Sequence, residues 1–205
     1  MQSEIPKQFL NIAGKPVLMH TIGKFYDFSP DLIINLVLPA PFIDFWKSLC
    51  NRFDFLIQHN VIEGGDSRFF SVKNGLHNIE ANSLVAIHDG VRPLVNRDTI
   101  QRVFQTSEKK GNAIPVVKIN ESIRKLKSIT SFPVKRQEYR LIQTPQCFHS
   151  EILTKAYNQD YRDDFKDDAT VVEALGIKIN LVEGNFENIK ITRPVDLKIA
   201  ETFLK

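Results

Sequence analysis

The chain has 205 residues, 42% of them hydrophobic and 25% charged, enough apolar material to bury one core and no linker to divide it, so residues 1–205 read as a single domain. The net charge of +3 is small and the basic residues are scattered, which excludes the continuous cationic stripe of a nucleic-acid-binding protein. No apolar run approaches the roughly 20 residues of a bilayer span, and the first seven residues contain no apolar signal core, so a cytoplasmic protein without membrane association is expected.

In chain order, Pro16 suits the first turn of a helix in which Val17, Leu18, Ile22, Phe25 and Tyr26 recur at helical spacing. The apolar run 32–38 ends at Pro39 and reads as a strand covered on both faces. A helix follows over 42–53, then a short strand at Phe55-Leu56-Ile57. The turn Gly64-Gly65-Asp66 leads into a helix over 67–79. Leu84-Val85-Ala86-Ile87 is a second buried strand, and residues 97–110 form a helix before a strand at 113–117. This alternation predicts an α/β fold, a doubly wound and mostly parallel sheet with helices on both faces.

The rhythm breaks over 118–140, where Ile119, Ile123, Leu126 and Ile129 are interleaved with polar and basic residues. That pattern predicts a projecting β-hairpin arm, too small to form a core alone and therefore packed against something else. Helices over 150–157 and 167–175, strands at 177–182 and 189–191, and a last helix opening at Pro194 complete the reading.

Ligands of an open parallel α/β sheet bind beyond the carboxyl ends of its strands. Three clusters stand there: Gly65-Asp66, His88 to Arg92, and Thr144-Pro145-Gln146. Asp89 is placed to hold Mg²⁺, which prefers oxygen ligands shared with phosphates, and Arg92 could fork onto a phosphate; equally, Asp89 could cap its turn and pair with Arg92. Gly64-Gly65-Asp66-Ser67-Arg68 could present backbone N–H groups to a nucleotide or be a plain loop with a helix cap at Asp66 or Ser67, leaving Ser71 an ordinary surface serine. Lys7 has the pattern of a surface lysine, whereas Lys190 sits in an apolar segment where a charge needs a reason. Cys50 and Cys147 have neither CxxC nor Cys/His spacing, so a disulfide framework or zinc site is not expected.

The order of these blocks is more specific than any one of them. Residues 5–10 (Ile-Pro-Lys-Gln-Phe-Leu), 14–18 (Gly-Lys-Pro-Val-Leu), 64–68 with Ser71-Val72, 88–93 (His-Asp-Gly-Val-Arg-Pro), 144–146, Asp167-Asp168-Ala169 and 188–194 (Asn-Ile-Lys-Ile-Thr-Arg-Pro) together resemble the methylerythritol phosphate cytidylyltransferase family across nearly the whole chain. The resemblance implies a nucleotidyltransferase fold, a homodimer formed through the arm, and Mg²⁺-dependent transfer of CMP from CTP to 2-C-methyl-D-erythritol 4-phosphate with release of pyrophosphate. It implies that Lys7 and Lys190 flank the α-phosphate as catalytic cations, and that Gly65, Asp66 and Ser71 contact the cytidine part. Asp89 would serve the metal, and Asp89, Arg92, Arg136 and Thr144 the acceptor, Arg136 from the partner's arm. A ribitol 5-phosphate cytidylyltransferase and an inactive nucleotide-binding dimer scaffold are the alternatives.

Two departures stand out. Glu121 and Ser122 replace the Asp-Thr pair usual in the family's arm. The family's opening strand and glycine-rich loop, which wraps the triphosphate with backbone N–H groups, is not matched upstream of Met1. A start about two dozen residues earlier is the expectation, as one strand and a long loop would require. Without that strand, two neighbouring strand edges should stand open.

Overall fold

A computed structural model describes residues 5–77 and 79–204. Residues 1–4, part of the expected signal-free start, and Asn78, inside the helix predicted over 67–79, lie outside the described residues. The elements run β1 (Asn11–Ile12), β2 (Lys15–Pro16), α1 (Val17–Phe28), β3 (Asn35–Leu38), α2 (Ile43–Arg52), β4 (Asn60–Glu63), α3 (Arg68–Gly75), β5 (Leu84–Ile87), α4 (Arg97–Lys110) and β6 (Asn112–Lys118). Then come β7 (Arg124–Lys127), β8 (Thr130–Pro133), β9 (Arg140–Ile142), β10 (Gln146–His149), α5 (Ser150–Tyr157), α6 (Asp168–Glu173), β11 (Leu181–Glu183) and α7 (Pro194–Leu204).

The main sheet has the order β11-β6-β10-β5, with β9 also paired to β6. β11 is parallel to β6, while β10 runs antiparallel to both β6 and β5, so β5, β6 and β11 share one direction. The two-residue period of a strand sends alternate side chains to opposite faces. Ile114, Val116 and Phe148, with Val85 and Ile87, meet α3, α5 and α6 on one face. Ala113 and Cys147, with Leu84 and Ala86, meet Val103 of α4 on the other. Helix α4 begins at Asn96, whose side chain accepts from the Thr99 N–H at 2.8 Å. It ends at Gly111, whose φ of +87° provides the left-handed cap that a β-carbon would disfavour.

β3 and β4 form a separate parallel pair, covered by α1 and α2 through Leu18, Met19, Ile22, Leu38, Trp46 and Leu49. Among the described residues β3 is paired only to β4 and β5 only to β10.

Three local readings need correction. The strand predicted at 55–57 lies at Asn60–Glu63; Phe55 and Ile57 pack onto the α1/α2 core instead, with Leu56 88% exposed between them. The strand predicted at 177–182 is confined to Leu181–Glu183. Residues 189–191 form no strand, because their one ladder-like bond, Ile191 N–H to the Val91 carbonyl at 3.0 Å, belongs to a loop wrapped around the crevice. The arm is present as the antiparallel hairpin β7–β8.

Candidate active site

The crevice is assembled where β5 ends. His88 and Asp89 follow Ile87, and the Arg92 N–H donates to the Asp89 carbonyl at 3.0 Å, closing a tight turn. Opposite stands Thr144, joined to Pro145 by a cis peptide. Gln146, which opens β10, is the register partner of Ile87. Because β10 is antiparallel to β5, its amino end arrives beside the carboxyl end of β5. That explains how Thr144 reaches the same crevice as Asp89. The third wall is the loop 185–193.

Three charges converge. Asp89 Oδ2 lies 3.0 Å from Arg92 Nε and 3.3 Å from Lys190 Nζ. Burial alone would raise the Asp89 carboxyl, but Lys190 and Arg92 outweigh it and hold the group below its ordinary value. Of the two alternatives read for this pair in the sequence, the structure shows the pairing: Asp89 pairs with Arg92, and a second cation, Lys190, joins them. The pairing also supplies the reason Lys190 needed. Its neighbour Ile191 is fully buried beside Val91 and Leu94, which fixes the strap while the half-exposed ammonium stays over the crevice.

The backbone around these charges is tied down by side chains. Arg92 Nη1 donates to the Asn188 carbonyl at 2.8 Å, and Asn188 Nδ2 donates to the Thr144 carbonyl at 2.8 Å. Gln143 Nε2 donates to the Asn185 carbonyl at 2.8 Å. The Asp89 N–H donates to Thr144 Oγ1 at 3.1 Å, and Thr144 Oγ1 lies 3.0 Å from His88 Nδ1. Burial pushes the His88 imidazole down to about 4, so the ring is neutral at neutral pH.

The loop before α3 is shaped by two contacts. Ser71 Oγ accepts from the Gly65 N–H and donates to the Gly65 carbonyl, both at 3.2 Å. A β-carbon on Gly65 would fall 2.5 Å from Phe70 Cβ, so the close approach requires glycine. Ser67 caps α3 by accepting from the Phe70 N–H, and Asp66 is exposed.

Arg68 grips Asp168 with both terminal nitrogens, at 2.9 and 2.5 Å, and Tyr157 donates its hydroxyl to Asp168 at 2.5 Å. Burial opposes the Arg68 charge, but Asp168 overcomes it and raises the guanidinium's affinity for its proton, with Asp89 adding to the effect.

The structure thus brings together Asp89, Arg92, Thr144 and Lys190, and shows Gly65 and Ser71 bonded to each other. Lys7 lies in a short 3₁₀ turn, Lys7–Phe9, anchored by Phe9 on Phe42, Phe45 and Trp46. Among the described residues Lys7 forms no ion pair with the crevice. Arg136 is exposed on the arm and donates to the Asn120 carbonyl. Sequence reasoning passed over Asn188, His88 and the Arg68–Asp168–Tyr157 set as individual contributors. Asn188 and His88 each stand beside a charged residue that drew the attention. The third set has a weak signal, an Asp168 in the first turn of a helix that buries Ala169, Val171 and Val172.

Comparison with known proteins bears directly on this arrangement. The model of the family described as 2-C-methyl-D-erythritol 4-phosphate cytidylyltransferase matches residues 1–205. The chain belongs to this family. A cytidylyltransferase of that name from Bacteroides thetaiotaomicron is 50% identical over 204 residues, covering 100% of this chain and 93% of the relative. One from Porphyromonas gingivalis is 45% identical over 206 residues, covering 100% and 91%. The crystal structure of the Thermus thermophilus member superimposes with a TM-score of 0.79 at 30% identity, over 97% of this chain and 94% of that one. The Francisella tularensis member gives 0.82 at 28% identity, over 97% and 93%. These likenesses support the nucleotidyltransferase fold that the resemblance implied.

Proposed function

We propose that this cytidylyltransferase-family chain transfers CMP from CTP to 2-C-methyl-D-erythritol 4-phosphate, releasing pyrophosphate, in isoprenoid precursor synthesis. The observation that carries the reading on the structural side is the convergence of Lys190 and Arg92 on Asp89 at the strand ends. An oxygen of the acceptor's phosphate forms a bond to the α-phosphorus of CTP. The bond from that phosphorus to the oxygen bridging to the β-phosphate breaks, and its electron pair leaves with pyrophosphate. The acceptor phosphate is already an anionic nucleophile, so the chain need supply no general base. It must bring two anions together and stabilise charge building on the equatorial oxygens, which fixed cations do best.

In this reading Lys7 and Lys190 serve the α-phosphate, and Gly65, Asp66 and Ser71 the cytidine part. Asp89, Arg92, Thr144 and Arg136 hold the acceptor. The residues present fit Mg²⁺ at Asp89. Both cations engage Oδ2, and among the described residues Oδ1 accepts no hydrogen bond. Among the described residues no three His, Cys, Asp or Glu side chains cluster to form an all-protein cage. A single carboxylate completed by substrate phosphates and water is the usual Mg²⁺ arrangement. Mg²⁺ bound there would neutralise charge on the triphosphate.

A homodimer through the arm is supported by its exposed apolar residues, Leu126 at 76%, Ile129 at 100% and Phe132 at 51%. A cytoplasmic location is supported by the two free cysteines, one of them buried. Among the described residues no helix is long and apolar enough to cross a membrane.

The test is pyrophosphate release by the purified chain with CTP, Mg²⁺ and 2-C-methyl-D-erythritol 4-phosphate, against a control lacking the acceptor. Release that depends on the acceptor is the expected result. Release that stays at the level of the control would overturn the reading.

A further inference from the structure

The assignment above gives His88 no part, although its ring sits at the centre of the crevice's hydrogen bonds. Nε2 lies 3.1 Å from the Arg92 carbonyl, and Nδ1 lies 3.0 Å from Thr144 Oγ1. The ring packs edge-on against Phe25 of α1, with centroids 4.9 Å apart. A carbonyl can only accept, so Nε2 carries the hydrogen. With the ring's hydrogen on Nε2, Nδ1 faces the Thr144 hydroxyl as a lone pair 3.0 Å away, and the hydroxyl donates to it.

Thr144 Oγ1 meanwhile accepts from the Asp89 N–H at 3.1 Å. With that tautomer the chain has one polarity: Asp89 N–H to Thr144 Oγ1, Thr144 O–H to His88 Nδ1, His88 Nε2–H to the Arg92 carbonyl. It starts and ends on the two residues whose side chains form the charge pair.

We infer that His88 is a positioning residue for the acceptor half of the reaction, holding the Thr144 hydroxyl in one orientation and the Asp89–Arg92 turn in one shape. The inference rests on the function proposed above. Thr144 is left with a free lone pair on Oγ1 and no proton to offer, so it meets a bound molecule as an acceptor. Without the ring, Thr144 could rotate its hydroxyl and the Arg92 carbonyl would lose its partner, while the loop at Gly65 and Ser71 would be untouched.

Three replacements separate the contacts. His88→Phe keeps the packing on Phe25 and removes both polar ends. His88→Asn places an acceptor near the Nδ1 position, and His88→Gln places a donor near Nε2. The expected result for His88→Phe is a fall of about tenfold or more in kcat/KM for the acceptor, as for a lost buried partner, with the KM for CTP changed less than about twofold. Asn and Gln should each recover part of the loss.

The double variant His88→Phe/Thr144→Val should be no worse than the poorer single variant, since residues acting through one another are non-additive. Losses that multiply, or equal losses for both substrates, would overturn the inference. Should His88→Phe fail to fold by circular dichroism, His88→Asn with Thr144→Val completes the same cycle. Independently of turnover, ¹⁵N NMR of the histidine rings should show His88 protonated at Nε2 and bare at Nδ1. The opposite tautomer would overturn the inference even in an active enzyme, and a wild-type chain without acceptor-dependent release would instead overturn the proposed function.

Discussion

The crevice and the arm are built on opposite plans. In the crevice Asp89 and Arg92 are largely shielded, at 15% and 12% exposure, and their bonds go to other parts of the same chain. Among the described residues β7 pairs with β8 alone and Arg124 reaches only Ser131 across the hairpin, and the large apolar residues face outward. A two-stranded hairpin is marginal on its own in water. The crevice therefore carries its organisation within one chain, while the arm's apolar residues call for a second surface. Preorganised charge is costly to assemble but needs no rearrangement at the moment of reaction.

The largest effect should come from the cation over the crevice. Lys190→Ala is expected to lower turnover by two or more orders of magnitude, since one lost transition-state contact is worth roughly 2.7–4 kcal/mol in comparable sites. Its ammonium is half-exposed, so the melting temperature should barely move. A near-normal kcat would remove Lys190 from the mechanism. Next comes the pair beneath the Gly65 loop. Asp168→Ala leaves Arg68 and the Tyr157 hydroxyl without their shared partner, and breaking a buried pair costs about 3–5 kcal/mol. Arg68 is 39% exposed, so screening by water places the cost near or below the low end, read from the urea midpoint. A loss no larger than that of Arg124→Ala on the arm would erase the contrast between the two regions.

How far this contrast could be read from the sequence depends on the length of the contacts involved. The strands at 84–87 and 113–117 and the helix at 97–110 were legible because their apolar periods are local and strong. So was the arm, where the period fails and no core partner is near. Asp89 and Lys190 were each singled out, but nothing local says that residues 101 positions apart share an ion pair at 3.3 Å. Residues 189–191 looked like a strand because Ile-Lys-Ile alternates; Ile191 is buried against Val91, which is loop packing rather than ladder pairing. The antiparallel β10 was missed because Cys147-Phe148 is too short a signal between a proline and a helix. Its direction is nonetheless what delivers Thr144 to the crevice.

Arg136 tests whether the arm contributes to chemistry as well as to assembly. Within its own chain it is exposed and bonded to the Asn120 carbonyl. The proposed dimer would carry it to the partner's acceptor site. Arg136→Ala should raise the acceptor's apparent KM about tenfold, as for a charged hydrogen bond, and change that of CTP much less. Equal effects on both substrates would take the arm out of the acceptor pocket and leave it a purely structural element.

The smallest effect lies where the crevice strap is anchored to the last helix. Asp196 Oδ2 accepts from the Thr192 N–H at 2.8 Å, the Thr192 hydroxyl at 3.0 Å and the Arg193 N–H at 2.7 Å, fixing the turn two residues beyond Lys190. Partial burial would raise this carboxyl, but the N–H groups of Arg193 and Thr192 outweigh it and hold it below its ordinary value. A folded-state carboxyl held low contributes stability that is complete above its unfolded value, about 3.9 for an aspartate, and is lost as pH falls through the folded value. Asp196→Ala should therefore cost about 1 kcal/mol at neutral pH, the scale of a lost cap. The deficit should shrink below about pH 4, where the wild-type carboxylate is itself being protonated. Urea midpoints at pH 7 and pH 3 measure both limits. A deficit unchanged at pH 3 would mean that the side chain's packing, and not its charge, holds the turn, and that the strap owes its placement to Ile191 instead.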